Sequence, residues 1–180
     1  MRHVYQLLTV LLTTAIAPAQ PAPAKPAADL WAPLQFLLGD WVGEGGGSPG
    51  QSVGGFSFQP DLQRRILVRK SRAEYPATKD RPAFVHDDLT IVYPQPGTDR
   101  LRAIYFDNEG HVVNYSVEIS GDRSTVQFLS DPSVSGPRFR LTYRRTGEDT
   151  LGIQFEISPP GQPDSFSTYI QAAARRKSAR

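Results

Sequence analysis

Cysteine is absent from this 180-residue chain. That excludes thiol nucleophiles, thiolate metal sites, disulfide staples and a lipidated N-terminal cysteine, and it leaves stability to the core alone. An excess of one charge is lacking too: 20 Lys and Arg stand against 18 Asp and Glu, spread along the sequence apart from Arg175-Arg176-Lys177. Such a balance creates no field to collect nucleic acid, so no nucleic-acid partner is expected, and the terminal basic run reads as a solvated tail. Catalytic punctuation is equally sparse. Gly47-Ser48-Pro49-Gly50 is a turn rather than a nucleophile elbow, and the glycine-rich stretch 43–55 lacks the lysine of a phosphate loop. Those glycines instead let the first strands curve tightly and let a loop fold over a barrel mouth.

Long apolar runs are missing after the first residues. Leu7 to Ile16 is an apolar run of ten behind Arg2 and His3, too short to span a bilayer as a permanent helix. Residues 1–19 therefore read as a signal peptide, with Ala17-Pro18-Ala19 before Gln20 as the cleavage site, and residues 20–28 as a Pro/Ala-rich linker. Residues 29–180 form one domain, long enough to bury a core. A periplasmic or secreted location is expected, with no integral membrane span once the leader is removed.

What is abundant is alternation. Asp29 reads as an N-cap, and Leu30, Trp31, Leu34, Leu37 and Leu38 recur at helical spacing before Gly39 ends one short helix. Thereafter the period is two. Strands are expected over 41–47, 54–59, 65–73, 86–93, 100–107, 111–119, 124–129, 138–146, 151–158 and 166–175, separated by turn sequences such as Asp107 to Gly110 and Pro159 to Pro163. Short connectors make neighbours antiparallel, so the fold class is all-β: about ten strands in an antiparallel meander, lipocalin-like, with a short N-terminal helix. Ten strands in an open sheet would expose edges and accumulate twist, which favours closure into a barrel; a two-sheet sandwich shares the same periodicity and is the alternative.

The segment Phe36 to Gly47 places a helical turn, then Gly39-x-Trp41, then a glycine-rich strand. This resembles the opening of lipocalin-like (calycin) barrels, and more narrowly nitrobindin-type barrels and related uncharacterised bacterial exported domains. The resemblance implies a ten-stranded barrel plugged by the turn, with Trp41 under an arginine from the last strand, here Arg175 or Arg176. It would also imply haem, held by a histidine near the C-terminal end, but this chain has no histidine after His111. Haem is therefore disfavoured and no cofactor is expected.

Ligand-binding candidates follow from type and parity. Trp41 would floor a cavity, Arg69 would reach into it if Leu67 does, and Tyr105 and Tyr115 would line it. His86 and His111 begin strands beside carboxylates: Asp87 and Asp88 follow the first, Asp107 and Glu109 precede the second, and His86 with Asp88 is the one local same-face pair. That falls short of a metal site, and none is expected. Tyr93, Tyr143 and Phe128 are also placed inward. These features point to a binding protein holding a small hydrophobic or amphipathic molecule. The competing readings are an isomerase or hydrolase of a lipid-like substrate using the His86/His111 region, and a filled barrel serving as an envelope interaction module. Oligomeric state is not encoded in any feature of the sequence.

Overall fold

The computed structural model describes residues 29–178, so the expected signal peptide and linker, 1–28, lie outside the described residues. A 3₁₀ helix, Ala32–Leu37, precedes ten strands: β1 Gly39–Gly47, β2 Ser52–Asp61, β3 Ile66–Tyr75, β4 Phe84–Pro94, β5 Leu101–Asp107, β6 Val112–Ile119, β7 Thr125–Ser130, β8 Arg138–Arg145, β9 Thr150–Ser158 and β10 Ser167–Arg176. Each strand pairs antiparallel with the next, and β10 pairs with β1, so the sheet closes into a barrel. Closure removes the sandwich alternative together with every free edge.

The expected helix is a tighter 3₁₀ turn. Asp29 accepts a hydrogen bond from the Trp31 amide (3.0 Å), and Trp31 occupies the cap position. Leu34 and Leu37 plug the end of the barrel where β1 begins, and the Trp41 indole N–H donates to the Leu37 carbonyl (2.8 Å). Arg176 locks this plug. Its guanidinium lies 4.3 Å over the Trp41 ring, donates to the carbonyls of Leu38 and Phe36, and pairs through Nε with Asp149 (2.9 Å). Gly39 is required beneath it: φ is +107°, and an added Cβ would stand 2.9 Å from Arg176 Nη1.

The register divides the interior into two halves. Toward the plug, inward side chains such as Trp41, Phe58, Val92, Phe128, Tyr143 and Leu151 are all buried. Aromatic rings dominate this layer. Tyr143 meets Phe58 and Phe128 edge to face, with centroids 5.5 and 6.1 Å apart, and Trp41 stacks on Phe56 at 6.2 Å. Toward the other end, inward Tyr105, Val113, Phe139, Leu141, Ile153 and Phe155 remain only partly buried. The barrel is thus closely filled toward the plug, while inward side chains toward the other end keep part of their surface uncovered.

One expected facing is corrected. Tyr93 pairs with Arg102 on the outer face, because β4 turns Asp88, Thr90 and Val92 inward. Leu89, Ile91 and Tyr93 are more apolar than Asp88, Thr90 and Val92, with which they alternate, so hydrophobic periodicity pointed to the wrong face of this strand.

Candidate functional site

At the end away from the plug, the polar side of the barrel interior is built by β3, β4 and β5, across from the apolar wall of β8 and β9. Leu67 does face inward, and Arg69 with it, two residues on. The Arg69 guanidinium meets the Asp88 carboxylate; the two side chains are 11% and 6% exposed, so this is a buried ion pair. Burial, the largest single influence, pulls Arg69 toward neutrality, but Asp88 together with Tyr143 and Tyr105 outweighs it, and its pKa lies above the ordinary arginine value. The same guanidinium stands 5.3 Å over the Phe56 ring and 6.0 Å over Tyr143. Two buried polar atoms in this layer have no hydrogen-bond partner, Arg69 Nε and the Tyr143 hydroxyl. Burial pushes Tyr143 up to about 12.

Above the ion pair, a chain of hydrogen bonds runs round the rim. Glu109 Oε1 contacts His86 Nδ1 (2.9 Å), His86 Nε2 contacts the Tyr105 hydroxyl (3.0 Å), and that hydroxyl contacts Asp107 Oδ2 (3.1 Å). Asp107 Oδ2 also meets His111 Nδ1 (2.8 Å), while its Oδ1 accepts from the amides of Glu109 and His111. Burial works against ionisation of Asp107, yet the His111 amide, the His111 ring and the Tyr105 hydroxyl together hold its carboxyl below the usual carboxylate value. Burial first, then the Asp88 and Asp107 charges, raise the Tyr105 hydroxyl far above the ordinary phenol range. Tyr105 therefore works as a hydrogen-bond donor and never as a phenolate. Tyr115 packs edge to face beneath it, centroids 6.5 Å apart, and burial raises its hydroxyl as well.

Five of the six residues predicted from sequence thus meet: Arg69, His86, Tyr105, His111 and Tyr115 share one end of the barrel. Trp41 does not join them. It lies 2% exposed in the plug, with Phe56 stacked on it. Asp88, Asp107, Glu109 and Tyr143 complete the cluster, and strand parity was the signal for the first two, since His86 and Asp88 share a face, as do Tyr105 and Asp107.

The inward face of β10 offers Ile170, Ala172 and Ala174, and both nitrogens of His86 are already engaged. The arrangement sets hydrogen-bonding groups on one wall against hydrocarbon on the other.

No protein-family model matches this sequence, and no curated protein matches it either. Among solved structures, that of Rv2717c from M. tuberculosis is similar, with a TM-score of 0.57 and 16% identity over 84% of this chain and 99% of that one. At that identity the likeness extends to the fold alone, a closed antiparallel β-barrel.

Proposed function

We propose that this protein is an exported, periplasmic or secreted binding protein that holds a small hydrophobic or amphipathic molecule in the half of its barrel away from the plug, without a cofactor. One observation carries the reading: inward-facing Phe139, Leu141, Ile153 and Phe155 keep part of their surface uncovered opposite the Arg69–Asp88 and His86–Tyr105 cluster. Apolar side chains facing into a barrel are stabilising only when something covers them, and a hydrocarbon ligand does so without adding a protein element. Arg69 is not a free anchor for a ligand carboxylate, because Asp88 already neutralises it; Tyr105 and His86 are the groups left to orient a polar head.

Gentle purification followed by organic extraction and mass spectrometry tests this directly, together with thermal shifts across apolar probes of graded length. A co-purified small molecule, or stabilisation that grows with chain length and disappears in Phe155→Asp, is expected. Finding neither would defeat the reading. The enzyme alternative draws on one specific feature, the single Tyr105–Asp107 unit to which both imidazoles connect; turnover of a lipid-like substrate abolished by His86→Gln would favour it over simple binding.

A further inference from the structure

The rim chain contains more contacts than a neutral imidazole can supply with hydrogens. Three successive contacts, Glu109–His86, His86–Tyr105 and Tyr105–Asp107, lie at 2.9, 3.0 and 3.1 Å. Each needs one hydrogen between its heavy atoms. Carboxylates at Glu109 and Asp107 bring none, the Tyr105 hydroxyl brings one, and His86 brings one when neutral or two as imidazolium. Only the imidazolium form completes all three. When it loses a proton, one contact is left as two lone pairs face to face.

Which contact yields is decided by the surroundings. Asp107 is fixed by two backbone amides and by His111, and Tyr105 is wedged against Tyr115, so the Tyr105–Asp107 link is held from several sides. Glu109 sits on the β5–β6 turn with its side chain 51% exposed, free to swing into water. The turn itself stays docked, since Asn108 exchanges hydrogen bonds with Val85 and Asp87 of β4. The other charged groups facing His86 are Asp88 on β4, with Oδ2 3.8 Å from Nε2, and Arg69 on β3, which is paired with that same Asp88; Ala73 of β3 lies directly opposite and adds no charge.

We infer that His86 is a proton-operated latch on the rim: protonated, it ties the Glu109 side chain to β4, and deprotonated, it frees that side chain to swing into water. The inference rests on the ligand-holding reading and adds its regulation. Among side chains, imidazole is the one whose ordinary change of charge falls between pH 5 and 8.

The test uses the full-length protein and the neutral probe N-phenyl-1-naphthylamine, whose release is followed by stopped-flow fluorescence at pH 5.5 and 8. Release from the wild type should be faster at pH 8, on the order of fivefold, the factor one half-exposed hydrogen bond contributes. Glu109→Gln decides the matter. A carboxamide N–H donates to the neutral Nδ1 and supplies the missing hydrogen, so this variant should release slowly at both pH values. An unchanged pH ratio in Glu109→Gln overturns the latch. If the probe binds at neither pH, the ligand-holding reading falls instead, and ring nitrogen-15 NMR judges the latch alone. Two N–H groups on His86 at pH 5.5 and one at pH 8 support it, and one at both pH values refutes it.

Discussion

Replacing Asp88 by Asn leaves the Arg69 guanidinium inside the barrel without its counter-charge. Side-chain exposures of 11% and 6% leave little water to take over, and Arg69 Nε already has no partner. Breaking a buried pair from one side costs about 3–5 kcal/mol, because the surviving ion keeps its desolvation penalty and loses its compensation. Arg69→Met breaks the pair from the other side and also removes the stack on Phe56, worth about 0.5–2 kcal/mol. Converting both together, Arg69→Met with Asp88→Leu, should be near neutral or even stabilising, since two apolar side chains then fill the same space. Urea unfolding followed by the fluorescence of Trp31 and Trp41 measures these variants together with the Asp88→Leu single change, which closes the cycle with Arg69→Met and the double. With a slope of about 2 kcal/mol/M, the Asn variant should lose roughly 1.5–2.5 M in midpoint while the double variant stays near the parent. The reasoning fails if Asp88→Asn costs under about 1 kcal/mol, which would mean that water reaches this depth and the charges are solvated. It also fails if the double change costs the sum of the singles, because the charges would then not be coupled.

Tyr143→Phe should raise stability by about 1 kcal/mol in the same assay, because the hydroxyl is buried with no partner and its removal ends that penalty. Gly39→Ala should lose about 1–3 kcal/mol, since φ of +107° and the nearby Arg176 both oppose a Cβ; thermal unfolding reads it. Asp122 accepts from the Ser120 and Ser124 hydroxyls and the Ser124 amide, which hold its carboxyl down at about 2. Its folded value lies below the unfolded one, so its share of turn stability is complete above about pH 4 and disappears as pH falls through about 2. Ser120→Ala should move the carboxyl titration, followed by carbon-13 NMR, back toward the ordinary aspartate value.

Where the sequence alternated cleanly it was read correctly. The faces set by Leu101-Ala103-Tyr105, Phe139-Leu141-Tyr143 and Leu151-Ile153-Phe155-Ile157 all turn inward as their parity demanded, and every strand lies within two residues of its expected ends. The pairing of an arginine with Trp41 followed from the opening motif, and the register selects Arg176 over Arg175 because Arg176 stands opposite Trp41. Parity failed on β4, where the inward face carries His86, Asp88 and Thr90 and the outward face carries the more apolar Leu89, Ile91 and Tyr93. The site was half legible. Histidines and tyrosines near strand ends were identifiable, but the proximity of Glu109 to His86, 23 residues away, is a product of barrel curvature and turn docking that no local window contains. The Asp88 partnership that neutralises Arg69 likewise needed the β3–β4 register.

The seam between β1 and β10 has a consequence for how the molecule is made. Every other pairing joins neighbours along the chain, whereas Arg176 reaches Leu38 across 138 residues. Hairpins can therefore zip locally and early, while ring closure must wait for the slowest, longest loop. A chain cut short before Ser167 would leave β1 and β9 as two bare edges, each a template for aggregation. Closure at Arg176 is thus a length check, which only a chain that extends through β10 passes.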